Sequence, residues 1–266
     1  MKLYHYWQIE NEKFFIEGNE LNIKCYGGSN LSDEDARLRA REKIEKVKRK
    51  IAGEKHVFET YEVEIREEIV QAINEKAVIT RNRYGAQVLN IEDVMIMDID
   101  KPKRSFGDLF KKPDQARDKQ RIIEMVQKRS KKVDYQGLGF RVYETHKGIR
   151  VIVLGKAINP TSRQADVMMK EFHCDNLYRI LCRKQACYRA RLTPKASRMN
   201  LRGHRVRVPR SVEEEQAFQE WLLKYEAASS NYSVCKFVEQ IGDGYLPEAI
   251  RVHDEICGVH RNQKLA

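Results

Sequence analysis

The sequence predicts an α+β protein in which helices flank a central mixed or antiparallel sheet. Strand-like and helix-like segments follow one another without the regular strand–helix alternation that a parallel sheet requires. The 266 residues are 41% hydrophobic, which is enough for the core of one large domain with small additions. We therefore expect an N-terminal α+β accessory region at 1–76, a central sheet domain at 77–210 and a helical C-terminal region at 211–266.

The N-terminal region is expected to begin with short strands and to continue into one amphipathic helix. Residues 3–30 read as strands and end in a glycine-rich turn. Ser32 is the expected helix N-cap, because three acidic residues follow it in the first turn. Residues 56–65 are then expected to form a strand and residues 66–76 a short helix. The buried face of the first helix is expected to be formed by residues spaced three and four apart, namely Ala36, Ala40, Ile44, Val47 and Ile51.

The central region contains a segment that is typical of a buried strand, IEDVMIMDID at residues 91–100. A glycine turn at 146–148 separates two strand-like runs, which indicates a hairpin. Apolar periodicity and capping residues predict the remaining elements, namely helices at 113–131, 162–172 and 211–240, and strands at 139–144, 149–154 and 186–192.

The charge of the chain favours a polyanionic partner, DNA or RNA. Lysine and arginine exceed aspartate and glutamate by 50 − 39 = 11, and the pI is near 9.3. The segment 176–212 has no acidic residue and carries eleven basic ones, nine of them arginines. Eleven uncompensated charges would repel one another unless an anionic partner balanced them.

Hydropathy and the distribution of cysteines indicate the cellular compartment in which the protein is expected to act. Nothing approaches 18 consecutive apolar residues, so we expect no membrane-spanning helix. The N-terminal sequence lacks the apolar core of a secretory signal, which argues against secretion. The six cysteines are scattered and show no disulfide framework, which fits the reducing cytoplasm.

Asp98 and Asp100 are the sharpest chemical signal in the sequence. They end an apolar strand two residues apart, so both side chains point to the same face. Two carboxylates cannot both face an apolar core without a partner. Mg²⁺ or Mn²⁺ would resolve this conflict, because both ions prefer hard oxygen ligands. The alternative is an ordinary strand end with solvated aspartates.

The motifs around this pair resemble those of the archaeo-eukaryotic primase superfamily, the primase-polymerases, over about residues 80–200. VMIMDID is similar to the apolar strand ending in Asp-x-Asp that carries the first motif of the family. The hairpin ETHKGIRV corresponds to the second motif, with Arg150 near the place of the phosphate-binding histidine. Asp175 corresponds to the third acid, and RLTPKASR resembles the basic last motif.

The resemblance implies a palm-like, RRM-like central sheet and assigns roles to individual residues. Asp98, Asp100 and Asp175 would form the catalytic site and hold two divalent ions that contact a nucleotide triphosphate. The triphosphate charge would be neutralised by four basic residues, namely Arg150, Arg189, Arg191 and Lys195.

Two further groups of residues are candidates for binding. Nucleic-acid contacts are expected from a polar loop before the aspartate strand and from the acid-free segment, namely Arg81, Arg83 and Tyr84, and Arg198, Arg202, Arg205 and Arg207. A zinc site at His173, Cys174, Cys182 and Cys187 lacks a Cys-x-x-Cys pair, so we interpret these cysteines as buried thiols. Near the C-terminus, four residues could also form a site, but we favour an ordinary helix face there and do not expect structural zinc; they are His253, Asp254, Cys257 and His260.

These observations favour a metal-dependent nucleotidyltransferase of the primase-polymerase type that acts on nucleic acid. The main alternative is a non-catalytic DNA- or RNA-binding protein that keeps the same scaffold. A metal-dependent nuclease is a third possibility, because the same metal ligands can serve hydrolysis. The sequence does not choose between DNA and RNA.

Overall fold

The α+β class is confirmed by a computed structural model, which describes residues 1–16, 19–54, 63–100 and 114–266. Most of the strand expected at 56–65 lies outside these residues. Helices and antiparallel sheets both contribute to one continuous buried core. No helix within the described ranges is long and apolar enough to cross a membrane.

The first helix forms as expected, but the strands before it differ from the expectation, since two long strands replace several short ones and the glycine-rich turn expected at 27–29 is part of the second strand. Ile51, expected on the buried face of the helix, is exposed at its last turn. Strands β1 (Tyr6–Ile16) and β2 (Asn19–Ser29) pair antiparallel, and α1 (Asp33–Ile51) packs on them. The Ser32 side chain accepts a hydrogen bond from the Asp35 backbone N–H, which caps the helix. Gly27 allows close packing, since a Cβ there would lie 1.9 Å from a carbonyl oxygen of α1.

The first four-stranded sheet is antiparallel and includes a strand where the sequence predicted a helix. Its strands, in order across the sheet, are β3 (Glu68–Asn74), β4 (Ala77–Arg81), β5 (Gln87–Ile91) and β9 (Tyr188–Arg191). The short helix expected at 66–76 is therefore wrong. The two-residue turn at Glu75 and Lys76 joins β3 to β4, and pairing with that neighbouring strand outweighs local helix propensity.

The second four-stranded sheet is also antiparallel and carries the aspartate strand at one edge. Its strands, in order, are β11 (Cys235–Ile241), β7 (Gly139–Thr145), β8 (Ile149–Leu154) and β6 (Ile96–Ile99). The predicted hairpin is confirmed as β7 and β8. The register places Asp98 of β6 opposite Arg150 of β8.

The expected helix at 211–240 is correct only in its first part. Helix α5 spans Val212–Ser229, and β10 (Tyr232–Ser233) and β11 follow it. Pairing of β11 with β7 explains the difference, because the sheet offers a hydrogen-bonding edge that the sequence alone does not reveal. The division into three regions stays a prediction, but strands from both terminal regions pair with strands of 77–210.

One buried core joins the two sheets and the remaining helices. It includes Leu89 of the first sheet, Met97 and Val151 of the second, and Val126 and Met169 from helices. The remaining elements are α2 (Gln115–Ser130), α3 (Arg163–Glu171), α4 (Asn176–Gln185), α6 (Glu248–Cys257) and β12 (Lys264–Leu265).

Candidate functional site

Asp98 forms a two-bonded ion pair with Arg150, its neighbour across β6 and β8. Arg150 Nε donates to Asp98 Oδ1 at 2.8 Å, and Nη2 donates to Oδ2 at 3.1 Å. The Arg150 side chain is only 3% exposed, whereas that of Asp98 is 34% exposed. Burial alone would raise the pKa of Asp98, but the charge and hydrogen bonds of Arg150 outweigh it and lower that pKa. Asp98 therefore stays ionised and reaches solvent on one side.

Arg150 connects this strand pair to the first sheet and to helix α6. Its Nη1 donates to the Arg191 carbonyl oxygen at 3.0 Å and lies 3.2 Å from His253 Nε2. His253 Nδ1 lies 2.9 Å from Asp254 Oδ1, and Asp254 also accepts a hydrogen bond from the Tyr143 hydroxyl at 2.7 Å. Burial opposes the charged form of His253, but hydrogen bonds to Asp254 and Cys235 raise its pKa. These interactions fix the orientation of the Arg150 guanidinium.

Three basic side chains gather near the aspartates, and we call Arg191, Lys195 and Arg198 the cationic cluster. Burial, with the charges of Arg198 and Arg150, lowers the pKa of Arg191 to about 10. Burial and the two neighbouring arginines also lower the pKa of Lys195. The Nε of Arg191 is buried without a hydrogen-bond partner in the described part of the chain. The fold thus holds like charges together at this place.

A pocket of about 650 Å³ opens beside the cationic cluster. Arg191 and Lys195 line it on one side, and Tyr84 and His204 line it elsewhere. Tyr84 is 60% exposed, and the Arg83 guanidinium lies over its ring at 4.7 Å from the centroid. The volume falls within the range of small-ligand sites, and an exposed aromatic ring offers a stacking surface for a base.

The other two predicted acids occupy different positions around Asp98. Asp100 is exposed just beyond the end of β6. Burial lowers the pKa of Lys195 and of Arg198, and the charge of Asp100 offsets part of this lowering. Asp175 is the N-cap of α4, where its Oδ1 accepts from the Tyr178 backbone N–H at 2.8 Å. The Asp175 backbone N–H donates to the Asp98 carbonyl oxygen at 3.3 Å, so the residue itself lies beside Asp98.

The carboxylate oxygens of Asp98 and Asp100 are suited to a hard divalent ion such as Mg²⁺ or Mn²⁺. The carboxylate of Asp175 is less suited as a third ligand. Each Asp98 oxygen accepts one hydrogen bond from Arg150, which leaves further lone pairs on the solvent side. Asp100 is exposed just after the strand, and its charge acts on Lys195 and Arg198 of the cationic cluster. The Asp175 carboxylate is already used by its own helix.

Several charges of the acid-free segment have acidic partners from other elements, so the expectation of eleven uncompensated charges is wrong. The partners come from α3, β3, α5 and the residue before β3. Those of α5 follow the segment directly in the chain, five to seven residues from their arginines, whereas folding brings the others to it. The pairs are Arg179–Asp166, Arg189–Glu67, Arg207–Glu214, and Arg210 with Glu68 and Glu215.

Two predicted binding residues do not line the pocket and have partners elsewhere, whereas others are exposed. Arg189 engages Glu67, and buried Arg81 donates to the Gly85 carbonyl oxygen at 3.1 Å. Arg202 and Arg205 are exposed. The structure therefore brings together Asp98, Asp100, Arg150 and the cationic cluster, with the exposed arginines nearby in the chain.

Sequence reasoning missed a buried cluster beneath Arg150. Cys235, His253 and Cys257 place one potential ligand atom each within 4.8 Å of one another. His253 and Cys257 are four residues apart, the spacing that places two side chains on one face of a helix. This spacing was the feature of the sequence that could have indicated a shared site. Cys235 belongs to the strand that the sequence did not predict, so the third member could not be found.

No protein-family model matches the chain, and no curated protein or solved structure significantly matches it.

Proposed function

We propose that the pocket binds the phosphates of a nucleotide, and that Asp98 and Asp100 serve metal-dependent nucleotidyl transfer on a nucleic acid. The observation that carries this proposal is the cationic cluster beside two carboxylates. The charges of Arg198 and Arg150 both act on Arg191, and its Nε is buried without a partner among the described residues. This is the charge arrangement that a polyphosphate needs.

An anion with several oxygens would relieve the repulsion within the cationic cluster. Arginine binds phosphate through two parallel N–H donors, and such charged hydrogen bonds are stronger than neutral ones. A triphosphate offers enough oxygens for Arg191, Lys195 and Arg198 together. The exposed ring of Tyr84 and the ring of His204 in the same pocket suit the base of that nucleotide.

Asp98 and Asp100 would hold Mg²⁺ or Mn²⁺ on the side of the strand that faces the cationic cluster. Bound there, the ion would supply charge neutralisation at the transferring phosphate. Arg150 acts differently from the role that the resemblance implies, since it holds Asp98 in place. The cationic cluster binds and orients the triphosphate, which is the main contribution of protein side chains to phosphoryl transfer.

Titration of a nucleoside triphosphate with Mg²⁺ or Mn²⁺ tests this proposal. Arg191→Ala and Lys195→Ala should each weaken binding about tenfold to a hundredfold, because each removes a charged hydrogen bond. Arg183→Ala is the matched control, since Arg183 is an exposed arginine of the same segment and does not line the pocket. Binding by the control should change less than about twofold.

A wild-type protein that binds no triphosphate with either metal would overturn the enzyme proposal. The second candidate, a non-catalytic DNA- or RNA-binding protein, is favoured by one observation. Arg150 already donates to both oxygens of Asp98, as a purely structural ion pair would. Such a protein would bind nucleic acid through its exposed arginines without using nucleotides.

We also propose a reducing intracellular compartment for this activity. All six cysteines are free, and five of them are buried. Free buried thiols are typical of proteins kept in a reducing environment.

A further inference from the structure

We propose that Cys235, His253 and Cys257 bind a zinc ion. Their ligand atoms lie within 4.8 Å of one another, and all three side chains are buried. Thiolate and imidazole are the ligands that zinc prefers. Zinc sites with three protein ligands and a water molecule as the fourth ligand are a known type. No other cluster of this kind occurs in the described ranges.

Two secondary-structure elements hold the three residues in place. His253 and Cys257 are one helical turn apart on α6, so their side chains project from the same face. Cys235 is the first residue of β11, which forms the edge of the second sheet opposite to β6. A zinc ion would therefore link β11 to α6, whose C-terminal end already accepts a backbone hydrogen bond from Val234 next to that strand.

The hydrogen bonds of His253 leave one nitrogen suited to a metal. Nδ1 lies 2.9 Å from Asp254 Oδ1, and Asp254 is held in turn by the Tyr143 hydroxyl and by Arg141 Nη2, each at 2.7 Å. A carboxylate at one ring nitrogen fixes the proton there and directs the lone pair of the other nitrogen toward a metal. Nε2 is the nitrogen left for zinc.

Zinc binding at Nε2 would replace one interaction of Arg150 and keep the others. Arg150 Nη1 lies 3.2 Å from Nε2, and zinc would take the place of this N–H donor at the ring nitrogen. The same guanidinium retains its bonds to Asp98 and to the Arg191 carbonyl oxygen. It could also donate to a zinc-bound thiolate, which is a negatively charged acceptor.

The charges balance when zinc binds. The two thiols each lose a proton to solvent, and two thiolates neutralise the two positive charges of the ion. The neighbouring charges are already paired, Arg141 with Asp254 and Arg150 with Asp98. The proposal does not depend on the nucleotide chemistry, since it rests on the three ligands alone.

Zinc content and cobalt spectroscopy of the full chain test the site. The protein is purified with zinc present, freed of excess metal and analysed for bound metal. We expect about one zinc per chain in the wild type and less than about a tenth of that in Cys235→Ser and Cys257→Ser. Cys182→Ser is the matched control, because Cys182 is a buried cysteine outside the cluster and should leave zinc content unchanged.

Cobalt substitution of the wild type decides the outcome even if a variant fails to fold. Co²⁺ in the site should show thiolate-to-metal absorption, and that absorption should vanish when zinc displaces it. A wild type without stoichiometric zinc and without thiolate absorption would overturn the proposal. So would undiminished zinc in both serine variants, or a native disulfide between Cys235 and Cys257.

Discussion

Arg150 is the side chain at which the ion pair, the cationic cluster and the buried cysteine–histidine cluster meet. From the sequence, Asp98 and Asp100 could be placed on one face and Arg150 near them, because strand alternation and a hairpin turn are local features. The pairing of Arg150 with Asp98 could not be predicted, since it depends on the register between two strands far apart in the chain. A carboxylate at a cleft surface would contribute little to stability, but this one neutralises a buried guanidinium.

Asp98→Asn should therefore lower the free energy of unfolding by about 3–5 kcal/mol, because it leaves buried Arg150 without its countercharge. Urea unfolding measures this change. Asp98→Asn combined with Arg150→Met should regain part of the loss, since the buried charge is then absent. A single Asp98→Asn variant that loses less than about 1 kcal/mol would contradict the assigned role of the pair.

Glu171, at the end of α3, provides a prediction about pH. Hydrogen bonds from the Tyr135 hydroxyl and Lys132 lower its pKa against the effect of burial. A carboxylate with a lowered pKa stabilises the fold above its unfolded pKa, about 4.3, and this contribution is lost as the pH falls through the folded pKa. Glu171→Gln should reduce stability at neutral pH by under about 1 kcal/mol, because the side chain is partly exposed. Unfolding measured from neutral pH into this acid range should be less pH-dependent in the variant, and an unchanged slope would refute the assignment.

Among the secondary-structure elements, the sequence correctly predicted those that are determined by residues close together in the chain. The capped helix α1 and the hairpin of β7 and β8 follow from nearby residues. Strands β3 and β11 could not be distinguished from helices, because only their sheet neighbours decide the conformation. Missing β11 also concealed Cys235, so the error in one element removed a ligand from the predicted sites.

The hairpin turn is predicted to position the end of the aspartate strand. A Cβ at Gly148 would lie 2.1 Å from the Ile99 carbonyl oxygen and 2.8 Å from the Asp100 Cα. Gly148→Ala should therefore displace Asp100 and cost about 1–3 kcal/mol of stability through overpacking. Gly203→Ala is the control, since a Cβ there meets nothing within 4 Å. Thermal unfolding compares the two, and equal stability of both variants would show that the turn does not press on β6.

At the scale of the whole molecule, the net charge of +11 predicts a polyanionic partner, but folding decides which charges can reach it. Acidic residues from other elements pair with four arginines of the acid-free segment. The composition could reveal the excess charge and not this pairing. The remaining exposed arginines, with the cationic cluster, form the surface that we expect nucleic acid to contact.

Replacement of Arg202 and Arg205 by alanine should weaken binding to all nucleic-acid sequences alike, because interactions with phosphate carry little base information. The plot of log affinity against log salt concentration should become shallower by about 0.7–0.9 for each phosphate that the variant no longer neutralises. Arg207→Ala should have a smaller effect, because Arg207 already pairs with Glu214. Fluorescence anisotropy across a salt series measures these slopes, and wild-type binding that does not depend on salt would exclude a phosphate-dominated interface.

Extension of a labelled oligonucleotide by the purified protein, with nucleoside triphosphates and Mg²⁺ or Mn²⁺, tests the proposed nucleotidyl transfer most directly. Asp100→Asn is the informative variant, because Asp100 is exposed and its loss leaves the Asp98–Arg150 pair intact. We predict that the wild type lengthens the oligonucleotide and that Asp100→Asn, folded as the wild type is, lowers the rate at least about a hundredfold. Shortening of the oligonucleotide would indicate a nuclease. If the wild type binds the oligonucleotide but does not change its length, nucleotidyl transfer is contradicted and the protein is a nucleic-acid-binding protein without this activity.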